Sequence, residues 1–377
     1  MKRTYPNMSL WPRGNKLRKW VQGLMDTKKY SWLQKIFLAP LFGLSLMYLL
    51  IGRCREMAYQ YGLLGKDVLP CRAICVGNIT VGGTGKTPTV ELVCRTLLQK
   101  GVRVGIISRG YGRRTSTKSR YDVFVVSDGG KFFAPAQVAG DEPVMLAKRL
   151  AHVPVLIGKN RYQAGLKVFK KFNVQTVVMD DGFQHLQLAR DLNLVVLDGQ
   201  SPFGNGYGLP VGRLRESPRA LKRADIILLT KITDNEQKNR VVQKIRKYNQ
   251  TAPVMIGRHK PRDVISLKGD RLLALEALRG KSIIALSGIG DPAYFLTTLM
   301  ELGAKVTAHM AFPDHHWYSM EEIRHIEHKV SSGKSWGLVT TEKDAVRISH
   351  VPQCPVWILR IDMVLMEGEQ LWEKALG

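Results

Sequence analysis

Residues 77–88 read GNITVGGTGKTP, and Gly85-Lys86-Thr87 at the end is the tail of a phosphate-binding loop. The general spacing of such loops asks for a glycine at position 80, where this chain carries Thr80. The flanking sequence supplies what the spacing lacks. RAICVGN (72–78) is a short apolar run that reads as a strand, and TVELVCRTLLQKG (89–101) has apolar residues at helical spacing and a glycine stop. Strand, loop and helix in that order turn backbone N–H groups and the positive end of a helix dipole toward a phosphate. Gly82, Gly83, Thr84, Gly85, Lys86 and Thr87 are therefore the candidate nucleotide contacts. The glycines let the chain curl close to a ligand. Lys86 is placed to reach the β- and γ-phosphates, and Thr87 to offer its hydroxyl to Mg²⁺. Pro88 falls in the first helical turn, where its missing N–H has no intrahelical partner.

Downstream the same rhythm repeats. VRVGIISRG (102–110), PVLIG (154–158), TVVMDDG (176–182), LNLVVLDG (192–199) and ADIILLTK (224–231) are short apolar runs, the pattern of strands buried on both faces of a parallel sheet. Their alternation with helical segments predicts an α/β fold, a P-loop three-layer domain with a mostly parallel sheet. Residues 232–250 are charged and strandless, and 258–280 resemble a linker. KSIIALSGIGDPAYF (281–295) restarts the rhythm, which predicts a second, smaller α/β unit. The expected division is 1–55, a basic leader and membrane-interface helix, then 56–255 and 256–377.

Composition narrows the partners. Within 377 residues, 57 Lys and Arg face 31 Asp and Glu, a net charge of +26 that attracts nucleic acid, a bilayer surface or a phosphorylated substrate. Aromatics interleaved with Arg and Lys on one face would mark a nucleic-acid binder. The sequence has no such face, so no nucleic-acid partner is expected. Five cysteines form neither a metal pattern nor a disulfide framework, which fits a reducing compartment. The uncharged run IFLAPLFGLSLMYLLI (36–51) is too short to span a bilayer as a helix and is flanked by basic residues on both sides. It reads either as a helix in the interface of an anionic membrane or as a buried core helix.

Further motifs carry chemistry. VVMDDGFQH (177–185) ends a strand in Asp180-Asp181, suited to the metal of a nucleotide site, or else a turn with its acids in water. AGDEP (139–143) sets Asp141 and Glu142 at a helix start, where an acid is often only a cap. FPDHHWY (312–318) offers two histidines that could orient a carboxylate or take a proton. SRGYGRR (108–114) places arginines where a parallel sheet meets its ligand. A guanine-reading N/T-K-x-D element is absent: after Thr230-Lys231 comes Thr233, with Asp234 one residue late, so ATP is the expected nucleotide.

Together GNITVGGTGKTP, SRGYGR, GDEP, DDGFQH, GRLRE (212–216), SGIGDPAYF, FPDHHWY and TEKDAVR resemble, in order, the tetraacyldisaccharide 4′-kinases of lipid A biosynthesis. Thr80 is that family's own form of the loop. The resemblance implies ATP- and Mg²⁺-dependent phosphorylation of the 4′-hydroxyl of tetraacyldisaccharide 1-phosphate, giving lipid IVA. It implies a monotopic enzyme at the cytoplasmic face of the inner membrane of Gram-negative bacteria. By position it makes Asp141 the general base and His315 its partner, with Asp180 and Asp181 near Mg²⁺. Arg109 and Tyr111 match positions near the lipid sugar, and Gln184, His185 and Glu216 further active-site positions. The competing reading is a P-loop GTPase or metallochaperone-type ATPase with no lipid acceptor.

Overall fold

The computed structural model describes residues 16–27, 30–111, 123–333 and 335–377. Its strands are β1 (Arg72–Gly77), β2 (Val104–Ser108), β3 (Phe124–Ser127), β4 (Val155–Ile157), β5 (Thr176–Asp180), β6 (Leu192–Asp198) and β7 (Ile226–Thr230). The chain continues through β8 (Val254–Ser266), β9 (Leu272–Leu273), β10 (Ser282–Ser287), β11 (Lys305–Ala311), β12 (Gly337–Thr341) and β13 (Val356–Glu367). The first helices are α1 (Lys16–Asp26), α2 (Trp32–Phe37), α3 (Ala39–Gln60), α4 (Lys86–Gln99), α5 (Ala136–Ala139) and α6 (Asp141–Arg149). The later ones are α7 (Arg161–Phe172), α8 (Asn235–Arg246), α9 (Pro292–Glu301), α10 (Met320–Ser332), α11 (Glu342–Ala345) and α12 (Glu369–Leu376).

All the strands belong to one sheet, ordered β11-β10-β12-β13-β8-β7-β6-β1-β5-β2-β4-β3, with β9 paired to β8. Neighbours from β7 to β4 are parallel, as the runs of buried apolar residues predict. Alternation sorts each strand between two layers. Ile74 and Val76 of β1 pack with Val90, Val93 and Leu97 of α4 on one face, while Ala73 and Cys75 join Ala164 and Val168 of α7 on the other. The second half repeats the arrangement: Ile283 and Ala285 face α9, and Ile284 and Leu286 face α10.

One sequence expectation changes, and two elements are added to the reading. Residues 258–280 are not simply a linker, because β8 runs on through Ser266. Its start pairs parallel with β7 and its length pairs antiparallel with β13, so one strand joins both halves of the sheet. The charged stretch 232–250 holds α8, capped by the Asp234 side chain. The edge strand β3, antiparallel to β4, had no counterpart in the sequence reading.

The apolar run 36–51 falls largely in α3, and Pro40 opens that helix rather than breaking it. Only Ser45 and Glu56 of α3 are buried, while Leu46, Met47, Leu50 and Ile51 are each more than half exposed. That rules out the buried-core reading. Among the described residues no helix is long and apolar enough to cross a membrane. Tyr30, Phe42 and Tyr207 stack edge to face, and the Ser45 hydroxyl donates to the Gly208 carbonyl at 2.8 Å, so α3 is anchored to the body. Most of the basic leader's charged side chains, and Arg113 and Arg114 of SRGYGRR, lie outside the described residues.

Candidate active site

Parallel strands gather their following loops at one edge of the sheet, where ligands bind in this architecture. The loop after β1 delivers residues 78–85. Gly82 and Gly85 take φ of 115° and 93°, which only glycine adopts without strain. A Cβ at Gly85 would stand 2.9 Å from His259 Nε2. Thr80 is not in that left-handed region. It is buried, it bridges to Leu214, and the next N–H donates to the Arg213 carbonyl at 2.8 Å. The backbone at 80 therefore has no need of a glycine. Asn78 donates to the Thr84 hydroxyl at 3.1 Å, and the Thr230 hydroxyl to the Thr84 carbonyl at 3.0 Å, which fixes the loop from both sides. Lys86 and Thr87 open α4, and Lys86 Nζ lies 3.8 Å from Asp181 Oδ1. A cavity of about 310 Å³ beside the loop is bordered by Gly82, Gly83, Thr84, Arg213, Lys231 and Asp291.

The two aspartates after β5 have opposite surroundings. Asp180 is 1% exposed, so it does not point to water. Among the described residues its Oδ1 has no hydrogen-bond partner, and only the Ser108 hydroxyl reaches Oδ2, at 3.3 Å. Burial, then the charges of Glu142 and Asp181, push its carboxyl well above the usual range. Asp181 is instead paired with Arg215, whose Nη1 donates at 2.8 and 2.9 Å. Although burial opposes it, Lys86 and Arg215 hold the Asp181 carboxyl below its ordinary value. An orphaned buried carboxylate oxygen beside a phosphate loop fits a divalent cation. Among the described residues no group of three or more His, Cys, Asp and Glu forms a metal cage. Mg²⁺ usually takes only one or two carboxylates and fills its sphere with phosphate and water, so of the expected donors Thr87, Asp180 and Asp181 the first two would suffice, since Arg215 already occupies Asp181.

Across the edge, Asp141 is the first residue of α6 and 2% exposed. Its Oδ1 accepts from the Glu142 N–H at 3.0 Å, but the cap position of α6 is Gly140 and no side chain caps the helix, so Asp141 is not the cap that its place at a helix start suggested. Its Oδ2 does something else: His315 Nδ1 lies 2.9 Å away and Arg347 Nε donates at 2.7 Å. Burial raises the Asp141 carboxyl, but the His315 hydrogen bond and the charges of Lys343 and Arg347 outweigh it and hold the group far below the usual range. Lys343 Nζ sits 3.1 Å from His315 Nε2. His316 turns away and meets Glu322 at 3.0 Å, so of the two histidines His315 is the one beside Asp141. The loops themselves approach: a Cβ at Gly290 would stand 3.3 Å from the Gly83 nitrogen and 3.6 Å from Asp314 Oδ2.

The remaining sequence-predicted residues border the same edge. Tyr111 is exposed and its ring meets His315 edge-on at 5.2 Å. Arg109 follows β2. Gln184 donates to the Asn78 carbonyl at 2.8 Å and to Glu216 at 3.4 Å. Glu216 is ion-paired with Arg223, and burial raises its carboxyl. Among the described residues His185 Nε2 is buried without a partner, and burial, followed by the charges of Arg161, Arg190, Arg55 and Arg109, lowers its imidazole to about 4. Three residues were not singled out as site residues from sequence. Arg161, the buried first residue of α7, has an Nε with no partner among the described residues and a guanidinium lowered to about 10 by burial. Lys343 and Arg347 lie in the TEKDAVR motif, whose spacing gave no hint that both turn toward Asp141.

Comparison with known proteins agrees with this geometry. The family model for tetraacyldisaccharide-1-P 4′-kinase matches residues 35–376. A tetraacyldisaccharide 4′-kinase of Syntrophus aciditrophicus is 38% identical over 348 residues, 90% of each chain. One of Geobacter metallireducens is 40% identical over 319 residues, 85% of this chain and 91% of its own. The crystal structure of LpxK from Aquifex aeolicus, an "apo" form in complex with ATP, superposes with a TM-score of 0.71 at 30% identity and covers 90% of this chain and 98% of that one. A match across nearly the whole chain, on a fold with the expected phosphate loop, means that this chain belongs to the tetraacyldisaccharide-1-P 4′-kinase family.

Proposed function

We propose that the chain transfers the γ-phosphate of ATP to the 4′-hydroxyl of tetraacyldisaccharide 1-phosphate, forming lipid IVA, with Asp141 as proton acceptor. The observation that carries the residue roles is the 2.9 Å contact of His315 with Asp141 beside a phosphate loop. Phosphoryl transfer needs positioning and charge neutralisation more than covalent help. Amides of residues 82–87 and Lys86 hold the triphosphate. Thr87 and Asp180 would hold Mg²⁺, with Asp181 steering Lys86 and Arg215 toward the phosphates. Bound there, Mg²⁺ would neutralise charge on the phosphate oxygens. Asp141, turned by His315, takes the proton of the attacking hydroxyl, a contribution of roughly 10²–10⁴-fold. Arg109 and Tyr111 orient the sugar, with Gln184, His185 and Glu216 around it. The nucleotide half, to about residue 255, and the half carrying His315 meet at this edge. The exposed face of α3 and the charge of +26 support docking on an anionic membrane, which for this lipid substrate is the cytoplasmic face of the bacterial inner membrane.

The test is a transfer assay with γ-labelled ATP, Mg²⁺ and the tetraacyldisaccharide 1-phosphate in mixed micelles. Label is expected in the lipid, and none with Lys86→Ala. Label released only as free phosphate, whether or not lipid is present, would overturn the proposal in favour of an NTPase.

A further inference from the structure

We propose that Arg347 is the positioning residue that seats Asp141 against His315, so that the proton acceptor is assembled by the second half of the molecule. This rests on the reading of Asp141 as acceptor. Asp141 belongs to the nucleotide half, and its Oδ2 partners, His315 and Arg347, both come from the other. Arg347 is wholly buried. Its Nε and a second guanidinium nitrogen both donate to Asp141 Oδ2, the oxygen that also meets His315. Its remaining nitrogen donates to the Gly288 carbonyl at 2.8 Å. That same carbonyl accepts the backbone N–H of His315 at 3.2 Å. One oxygen thus anchors both the guanidinium and the histidine through contacts that do not involve Asp141. His315 itself is held at φ 62°, a strained conformation for a non-glycine residue that the surrounding loop must impose.

A simpler role for Arg347 would be to neutralise Asp344, three residues back. Asp344 is already served by the Gly288 N–H at 2.9 Å, the Tyr318 hydroxyl at 2.9 Å and the Thr341 hydroxyl at 2.6 Å, and Arg347 adds only a 3.2 Å contact. Two donors on Asp141 against one long contact to Asp344 place the main duty of the guanidinium across the interface. Arginine suits it, since a planar fork can grip a carboxylate and a carbonyl together. The groups bearing on Asp141 are His315, Arg347 and Lys343 from the second half, with Glu142 on its own helix.

Removing a cation beside a carboxylate favours its protonated form, so the acid limb of the kcat profile moves to higher pH. Lipid phosphorylation by the full chain is measured against pH for Arg347→Met, Arg347→Lys, Asp141→Asn and the Asp141→Asn/Arg347→Met double variant. Arg347→Met is expected to shift the acid limb upward by at least about one pH unit and lower kcat about tenfold or more, with the KM for ATP within about twofold. In the Asp141→Asn background the same change is expected to cost no more than about twofold, because Arg347 acts through Asp141. Arg347→Lys keeps the charge but not the fork; it is expected to leave the acid limb in place and lower kcat about tenfold. An unshifted limb in Arg347→Met, or losses that multiply in the double variant, would overturn the inference. Should Arg347→Met not fold, an Arg347→Lys enzyme with unaltered kcat overturns it. Full activity in Asp141→Asn is a separate result: it removes the acceptor reading itself.

Discussion

Asp180 and Asp181 are adjacent, chemically identical and differently employed. Asp181 is satisfied by Arg215, whereas Asp180 is a carboxylate held in the interior for something still to arrive. The folded state raises the Asp180 carboxyl above its unfolded value, so its ionised form opposes folding. In the metal-free protein the contribution of Asp180 should therefore turn increasingly unfavourable as pH rises above about 4 and through the folded value. Asp180→Asn removes that penalty. In EDTA at pH 7 the variant is expected to be more stable than the parent by about 1–3 kcal/mol, while its transfer activity falls at least about tenfold. Thermal melts with and without Mg²⁺-nucleotide test this. A variant less stable than the parent in EDTA would mean that Asp180 is already neutralised by something other than a metal. The sequence marked both aspartates by their place after an apolar strand. It could not separate them, because the separating group, Arg215, is 34 residues on and enters by tertiary packing.

Elements were legible where one local pattern decided them. The runs that became β1, β2, β4, β5, β6 and β7 are apolar because both faces are covered, and that signal survives in a single window. The four-residue β3 lies at an edge, where neither period nor length speaks. The end of β8, RHKPRDVIS over 258–266, is mostly charged with no apolar run or alternation, and is a strand only because β13 supplies a partner along its length. The apolar run 36–51 is the converse case: the sequence left interface and core both open, and burial decides. Leu46 and Ile51, 60% and 64% exposed, touch no core. Leu46→Glu with Ile51→Glu should therefore alter fold stability by no more than about 0.5 kcal/mol per site. If each side chain enters the acyl boundary it contributes about 1.5 kcal/mol or more, so losing both should weaken binding to anionic vesicles by about 100-fold. Sedimentation with such vesicles gives the answer. Unchanged partition would move the membrane contact elsewhere. Arg55, on the same helix, donates to the Gln184 carbonyl at 3.2 Å, so this contact would be felt at the active-site edge.

At the scale of the whole molecule, charge crosses between the halves at separate points. Arg149 of α6 meets Glu342 at 2.7 Å and Asp362 at 3.1 Å, and Arg347 meets Asp141. Lys231, after β7, reaches Asp198 at 3.0 Å and Asp291 at 2.7 Å, where Asp291 caps α9. The Lys231 side chain is 10% exposed. No window of sequence could pair residues so distant, which is why the interface was the least legible part of the site. Burying a cation between two carboxylates adds little net stability, but removing only the cation leaves both acids facing each other; with Asp291 37% exposed, solvent screening brings the cost to about 1–3 kcal/mol. Lys231→Met is expected to lose that much in urea unfolding. Its effect on pH dependence follows from the signs. Burial alone would lower the Lys231 ammonium, but Asp198 and Asp291 raise it, so its contribution is full below the unfolded value and lost only above the folded one. Asp291 is held low, chiefly by Lys231 against burial, so its contribution is full above the unfolded carboxylate value. The difference between parent and variant should then be flat from about pH 7 to about pH 9; below that His259, whose imidazole burial and then Lys231 lower to about 4, adds its own change. Both proteins should unfold in one transition, since β8 is hydrogen-bonded into both halves of the sheet. Two transitions in Lys231→Met would mean that the ion cluster, and not the shared strand, couples the nucleotide half to the half that carries His315.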